Sequence, residues 1–306
     1  MLQTNADKLV RISVQGKVAA PTRFEPFEMD AEGHGHSLPS VGGIVYNVKV
    51  GDPAFGWAGD HIEPAVSALI DEEKRSSRLN MAFNFLACVG NEAVVLSGDA
   101  KGARGIVTGH HGGVEHVMID FADDTLEKLA VDDKVLIRSW GQGLSLTNYP
   151  DLKIYNLDPG LLQKMKLVER GGRLAIRVVA KIPSAIMGSG IGHPDPATGD
   201  YDITTQDPKM VKRHGLDRLR LGDFVAIMDA DNTYGRHFYS GAVTIAIVVH
   251  ADSHLSGHGP GVTTLVSARK GIVPILSREA NLAKLLKIGR FRPAGKQRKR
   301  SARRAS

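Results

Sequence analysis

The sequence predicts a mainly β protein, a β-rich α+β fold in which a multi-part β-sheet body carries a small SH3-like β-barrel and a few helices. Short β-branched runs recur along the chain, its 34 glycines cluster between these runs, and helix-start signals are few. An alternating βαβ chain would need a helix-length segment after each strand, and this pattern does not occur. At 306 residues, the chain is expected to form more than one structural part.

Seven segments have the composition of strands that end at turn residues. They are residues 42–52, 92–99, 116–124, 133–141, 172–183, 222–231 and 241–252. The run "VTIAIVV" within the last segment is apolar throughout, which predicts burial on both faces of a sheet.

Helices are predicted in three places. Residues 63–90 have helical period in two parts and end at Gly90. Residues 158–168 begin with an Asp cap and a proline in the first turn. Residues 277–289 begin at Ser277 and stop at a glycine.

The chain divides into four predicted parts. Residues 1–90 and 145–289 are expected to be the N-terminal and C-terminal β-rich parts of the body, and residues 290–306 a disordered basic tail. Residues 91–144 resemble the KOW motif of small SH3-like barrels, in which a strand, a glycine turn with a basic tip and a returning strand follow each other. The matching residues are Val94–Val95–Leu96, Ser97–Gly98, Lys101–Gly102, Arg104–Gly105 and Ile106–Val107.

The net charge of +6 belongs to the tail and not to the body. Residues 290–306 hold eight Lys and Arg, which leaves 31 basic against 33 acidic residues elsewhere. A nucleic-acid-binding face on the body is therefore not indicated by charge. Cys88 is the single cysteine, so no internal disulfide forms. No segment has the length and apolarity of a membrane span or a signal peptide, and we expect a cytoplasmic, soluble protein.

Histidines gather in three glycine-containing loops. These loops, residues 32–43, 50–64 and 248–261, supply the candidate residues His34, His36, Trp57, Asp60, His61, His250, His254 and His258. Imidazole and carboxylate together suit Zn²⁺, Mn²⁺ or Fe²⁺ and not Ca²⁺. Each histidine taken alone is better explained by a solvated or hydrogen-bonded ring than by a ligand role. Three such loops in one chain favour a shared site at the ends of strands.

The loop "MDADNTYGRHFYSG" at 228–241 directly follows a predicted strand. Asp231 is a candidate acid or base, and Arg236 is a candidate for binding a substrate carboxylate. The alternative is a polar turn between two strands. The loop does not match an EF-hand, because Ser240 stands where the bidentate Glu is required.

Four stretches together resemble the bacterial and archaeal family catalogued as domain of unknown function 4438. They are "GHGHSLPSVGGIVYNVKVGDPAFGWAGDHIEP", "CVGNEAVVLSGDAKGARGIVTGHHGG", "DADNTYGRHFYSGAVTIAIVVHADS" and "GHGPGVTTL". The resemblance covers about residues 8–290. It implies a mainly β, multi-part architecture with a small barrel, and it implies no activity.

The leading hypothesis is a metal-dependent hydrolase that cleaves an amide or ring C–N bond of a small polar molecule. In it, His34, His36 and His61 bind a divalent ion, which acidifies a water molecule. Catalytic roles are assigned to Asp60, Asp231, His250 and His254, and substrate binding to Trp57, Arg236 and His258.

Two other functions stay open at this point. One is a nucleic-acid-binding or ribosome-associated protein that uses the KOW-like barrel and the basic tail. The other is a metal-free lyase or isomerase in which His and Asp side chains act as acid–base pairs. Exposed glycine-rich strand edges also favour a closed homo-oligomer.

Overall fold

The computed structural model describes residues 2–22, 27–71 and 73–293. The strands are β1 (Ile12–Val18), β2 (Glu28–Met29), β3 (Gly35–His36), β4 (Ile44–Val45), β5 (Ala65–Leu69), β6 (Glu92–Val95), β7 (Arg104–His111), β8 (His116–Asp120), β9 (Lys134–Ser139), β10 (Lys153–Ile154), β11 (Val168–Arg170), β12 (Arg173–Val178), β13 (Ala180–Pro183), β14 (Tyr201–Asp202), β15 (Phe224–Asp231), β16 (His237–Val248), β17 (Gly261–Ala268) and β18 (Ile272–Leu276). The helices are α1 (Arg78–Leu86), α2 (Asp123–Leu126), α3 (Pro159–Lys164), α4 (Pro208–His214) and α5 (Leu282–Leu286). The predicted β-rich fold with few helices is confirmed.

Six strands form a closed antiparallel barrel. Their order is β1, β9, β6, β7, β8 and β5, and pairing of Lys17 and Val18 with Leu69 and Ala68 closes the ring. Short β4 extends the sheet beyond β5. The interior is filled by small and branched apolar side chains, with Phe83 of α1 packed against them. At Gly16 of β1, a Cβ would lie 2.6 Å from the carbonyl oxygen of Leu69, so the strand crossing requires glycine.

The barrel includes strands outside residues 91–144, the segment from which a barrel was predicted. Four of its strands lie within residues 91–144, but β1 and β5 come from the N-terminal part. The 91–144 segment is therefore not a separate unit in the structure. Strand β1 pairs with β9 along the full length of β9, and without β1 and β5 the edges of β9 and β8 would be left unpaired.

A second sheet forms the centre of the C-terminal part. It has the order β10, β17, β16, β15 and β13, and β14 also pairs with β17. All of its pairs are antiparallel except β13 with β15. The run at 243–249 is buried throughout, as its sequence predicted. Strands β11, β12 and β18 form a third sheet, and β2 and β3 form a hairpin.

The helix predictions were only partly correct. The first half of the 63–90 segment contains the strand β5, and only the second half contains a helix, α1, capped by Ser77. A short apolar run such as "AVSAL" does not distinguish strand from helix by its periodicity. Here the run forms a strand because it pairs between β1 and β8 and closes the barrel. Helix α3 begins after the Asp158 cap as predicted, whereas α5 begins after Asn281 and not after Ser277.

The barrel and the second sheet meet where β7 lies against β17. The backbone of His110 both donates to and accepts from the hydroxyl of Thr263, at 3.1 Å each way. At Gly109, a Cβ would collide with the side chain of Val249, so the close approach of the two layers requires glycine here. This contact brings the ends of β7 and β8 next to β14 and the loop after β16.

The start of the basic tail packs on the body. Arg290 forms an ion pair with Asp52, with its Nε 2.5 Å from Oδ1, and Arg292 pairs with the buried carboxylate of Asp120. Residues 294–306, which carry the rest of the predicted tail, lie outside the described residues. None of the helices in the described ranges is long and apolar enough to cross a membrane.

Candidate metal centre

Two carboxylates lie at the centre of a buried polar cluster because of strand geometry. Asp200 and Asp202 are two residues apart in extended chain, so their side chains lie on the same face, and Tyr201 between them points the other way. Strand β14 is held against β17 by pairing of Asp202 with Gly261. Both carboxylates are nearly inaccessible to solvent.

The guanidinium of Arg236 fixes the backbone that carries these carboxylates. It is buried, it donates to the carbonyl of Thr198 at 2.7 Å, and it also donates to the carbonyl of Asp200. It lies over the ring of Tyr201, 5.0 Å from its centroid. Arg236 therefore positions Asp200 and Asp202 through main-chain contacts.

His61 is oriented by its neighbour. Its Nδ1–H donates to Asp60 Oδ2 at 2.5 Å, which leaves Nε2 to face the cluster. The other oxygen of Asp60 accepts from the backbone N–H of His254 at 2.9 Å, so both of its oxygens are engaged. His61 has the left-handed φ of 51°, which is rare for a residue with a Cβ and is found where surrounding contacts impose it.

His61, His258 and Asp202 have the spacing of ligands around one ion. The separations are 3.0 Å between His61 Nε2 and His258 Nδ1, 2.8 Å between His258 Nδ1 and Asp202 Oδ2, and 3.5 Å between His61 Nε2 and the same oxygen. Ligands at about 2.0 Å from a tetrahedral ion are about 3.3 Å apart. A carboxylate on the outer nitrogen of His61 is also the usual support of a metal-bound imidazole. We call these three residues group one.

A second group of three potential ligands adjoins the first. In the described part of the chain, the ligand atoms of His111, Asp200 and His250 all lie within 4.8 Å of one another. The ring centroids of His111 and His250 are 4.1 Å apart, and that of His61 in group one is 5.1 Å from that of His250. We call this set group two.

Glu63 fixes the ring of His111, a member of group two, by a hydrogen bond. This fully buried carboxylate accepts hydrogen bonds from Nδ1 of His111 at 2.7 Å and from Nδ1 of His116 at 2.9 Å. It also accepts from the backbone N–H of Gly42 and the hydroxyl of Ser67. Burial alone would raise the pKa of Glu63, but His111 and His116 hold it well below its usual range.

The pKa directions describe a cluster rich in buried negative charge. Burial opposes ionisation of Asp202, yet the histidines around it hold its pKa well below the usual range. Burial would lower the pKa of His61, but hydrogen bonds to Asp202 and Asp60 outweigh it and raise the pKa to about 9. These carboxylates attract cations, either protons on imidazole or metal ions in their place.

The cluster forms the floor of a cavity of about 680 Å³. His61, His258, Asp202 and Arg236 reach its lining, and the apolar part of the wall includes Phe27, Met29, Val41, Val114 and Leu255. Glu115 also lines the cavity, and burial raises its pKa above the usual value. A pocket of this size accepts a small organic molecule next to the histidines.

The structure brings together some of the sequence-predicted site residues. His61, His250 and His258 lie in the cluster, Asp60 lies directly behind His61, and Arg236 lies at its edge.

Other predicted residues lie elsewhere. Asp30 contacts His34 Nδ1 at 3.3 Å and His36 Nε2 at 2.8 Å, and these two histidines belong to the hairpin of β2 and β3, not to group one or two. His254 stacks on His36 at 4.5 Å. Asp231 accepts from Arg269 Nε at 2.7 Å, and Trp57 donates to the carbonyl of Pro53, so both side chains are engaged away from the cavity floor.

Sequence reasoning missed Asp200, Asp202, His111 and Glu63. The spacing of the two aspartates in "GDYD" is the signal of two carboxylates on one strand face. "HIEP" also places Glu63 two residues after His61. The role of His111 depends on the contact between the barrel and the second sheet, which no local pattern indicates.

We expect the substitution Asp60→Asn to weaken metal binding at group one by about 10–100-fold, the usual effect of losing a carboxylate behind a metal-bound histidine. An amide cannot accept at both positions that Asp60 Oδ1 and Oδ2 now occupy, so the His61 ring loses its fixed orientation. Competition with a chromogenic chelator for Zn²⁺ measures the change. Asp30→Asn, which removes the carboxylate between His34 and His36, is the matched control and should leave the affinity unchanged. The opposite ranking of the two variants would place the ion at the hairpin.

Comparison with known proteins gives matches along most of the chain. Residues 27–163 match the model described as "Domain of unknown function (DUF4438), N-terminal", and residues 164–286 match "Domain of unknown function (DUF4438), C-terminal". Among curated proteins, none matches. The solved structure described as "Crystal structure of TM1086" is similar at 47% identity and a TM-score of 0.87, covering 92% of this chain and 97% of that chain.

Proposed function

This chain belongs to the DUF4438 family, and from its site we propose that it is a metal-dependent enzyme that hydrolyses an amide or ring C–N bond of a small polar molecule. The observation that carries the proposal is the spacing of group one. Three potential ligands from three separate segments of the chain lie at the mutual distances of a tetrahedral coordination shell and face a cavity.

The ligand set suits a catalytic ion better than a structural one. Two imidazoles and one carboxylate leave a fourth tetrahedral position, and structural zinc sites are closed by four protein ligands, most of them cysteines. The chain's single cysteine, Cys88, is buried and lies outside both groups. Zn²⁺, Mn²⁺ and Fe²⁺ all accept this ligand set.

We assign the following roles to residues of the site. A divalent ion on group one supplies a Lewis acid that polarises a carbonyl and acidifies water. Asp60 positions His61 and is not a base, because its hydrogen bonds lower its pKa to about 2 against the effect of burial. Glu115 lines the cavity and burial raises its pKa, so we assign to it the role of accepting a proton from water. The apolar wall excludes bulk water around the scissile bond.

The test is metal content together with metal-dependent turnover. We expect the full chain, purified without chelator, to retain Zn²⁺, Mn²⁺ or Fe²⁺ and to hydrolyse members of a panel of linear and cyclic amides. Chelation should abolish turnover, and adding the ion back should restore it. Absence of bound metal, together with no metal-restored hydrolysis across the panel, would overturn the proposal.

One observation favours a second candidate, a metal-free lyase or isomerase. Without an ion, the raised pKa of His61 keeps its ring protonated at neutral pH beside the cavity, as a general acid requires. Turnover that is insensitive to chelation would favour this candidate over the hydrolase.

A further inference from the structure

We infer that group two binds a second divalent ion and that the carboxylate of Asp202 bridges the two ions, making the cavity floor a two-metal centre. This inference rests on the proposed function, since it adds an ion beside the one on group one. Two-metal sites hold their ions about 3.5–4 Å apart and clamp the attacking and leaving atoms of a hydrolytic reaction.

The first observation is a pair of buried polar atoms without hydrogen bonds. His250 Nε2 and Asp200 Oδ2 form an ion-pair contact at 2.8 Å, but within the described part of the chain neither atom has a partner with hydrogen-bond geometry. A protonated ring that paired with this carboxylate would direct its N–H along the line between the two atoms. The contact does not meet that geometry, and two buried ligand atoms that are this close without a shared hydrogen bond suit the coordination of a common ion.

The outer nitrogens of the two imidazoles are already committed. His250 Nδ1 lies 2.9 Å from the carbonyl oxygen of Ala251, and His111 Nδ1 lies 2.7 Å from Glu63 Oε1. An oxygen acceptor fixes the proton on Nδ1, so Nε2 of each ring carries the lone pair in the neutral state. A carbonyl or carboxylate behind each imidazole is the support that metal-bound histidines have.

The backbone leaves room for the ligands at this position. A Cβ on Gly261 of β17 would collide with both Asp200 Oδ2 and His250 Nε2. Asp200 Oδ1 accepts from the backbone N–H of Gly112 at 2.7 Å, which directs the other oxygen toward His250. Glycine at 261 is thus required by the approach of two ligand atoms to the strand.

Asp202 has one oxygen facing each group. Oδ2 lies 2.8 Å from His258 Nδ1 in group one, and Oδ1 lies 3.5 Å from His250 Nε2 in group two. A carboxylate in this position donates one oxygen to each of two ions. The shared ligand explains why the histidines of the two groups lie so close together.

Charge balance agrees with two ions. Asp60, Glu63, Asp200 and Asp202 are four buried carboxylates, and two divalent ions would neutralise the four negative charges that they carry when ionised. Arg236 then adds one positive charge at the edge of the cavity. The centre would accordingly attract a hydroxide ion or an anionic group of the substrate.

The experiment is a stoichiometry measurement on the full-length chain. The protein is stripped with a chelator, loaded with Mn²⁺, dialysed, and measured by elemental analysis and electron paramagnetic resonance. The variant is Asp200→Asn, which retains the oxygen that accepts from Gly112 and replaces the unpartnered oxygen with an amide nitrogen. The matched control is Asp217→Asn, which changes an exposed aspartate that follows α4 in the chain. Circular dichroism and thermal unfolding establish that each variant is folded.

We expect two Mn²⁺ per chain with an exchange-coupled spectrum in the wild type and in Asp217→Asn, and about one uncoupled Mn²⁺ in Asp200→Asn. One ion in the wild type that Asp200→Asn does not change would overturn the second site and leave the proposed function intact. Two uncoupled ions would overturn the Asp202 bridge. No ion would overturn both this inference and the hydrolase. If Asp200→Asn does not fold, His250→Gln provides the same comparison.

Discussion

Asp202→Asn is expected to empty the metal centre and to reduce hydrolysis by at least about 10³-fold. The metal contributes several kcal/mol to such reactions, and each 1.4 kcal/mol corresponds to a factor of ten in rate. The carboxylate of Asp202 lies 2.8–3.5 Å from the ring nitrogens of His61, His250 and His258. One substitution therefore removes a negatively charged ligand that all three histidines adjoin. The side chain keeps its size, and the fold should survive. Elemental analysis measures the ion, and the amide panel measures turnover.

The control for Asp202→Asn is the double variant His34→Ala, His36→Ala. The sequence predicted these two histidines as metal ligands, whereas the structure places them at the exposed hairpin with Asp30. We expect the double variant to keep both ion and turnover. If it loses the ion while Asp202→Asn keeps it, the sequence-based assignment is correct and group one is a network of ion pairs.

Glu63→Gln is expected to lower the free energy of unfolding by about 3–5 kcal/mol, the usual cost of removing one partner from a buried ion pair. Its carboxylate accepts from four groups, among them the rings of His111 and His116, and an amide offers fewer acceptor sites. Urea unfolding of the metal-free protein measures the change without the contribution of ion binding.

Glu92→Gln is the matched control for Glu63→Gln. Glu92 also faces two cations, Arg104 at 2.7 Å and Arg138 at 2.9 Å, but all three side chains are partly exposed to solvent. Exposed ion pairs contribute about 0–1 kcal/mol, so the control should change stability little. Equal losses in the two variants would show that burial of Glu63 adds nothing to its contribution.

Much of the fold followed from local sequence. Glycine clusters between β-branched runs predicted the strands, and the apolar run at 243–249 predicted a buried strand, now the second half of β16. The Asp158 cap predicted the start of α3. The strand β5 was missed because "AVSAL" suits a helix equally well, and its place depends on barrel closure with β1, about fifty residues earlier in the chain.

The candidate site was less accessible to sequence reasoning. The choice of histidine and aspartate as the chemistry-bearing residues came from composition and loops, and it included His61, His250 and His258. Choosing His34 and His36 as their companions relied on their closeness along the chain. In the structure, His61 instead contacts His258, 197 positions away.

The sequence by itself determined the β-rich class, the glycine turns, the family resemblance and the kinds of side chain available for chemistry. Only the tertiary structure decided which of those side chains share a site. The reason is physical: turn and strand preferences act over a few residues, whereas the cluster forms where β7 of the barrel packs on β17. That contact brings His111 and Glu63 beside Asp200 and His250, through packing between segments that are distant in sequence.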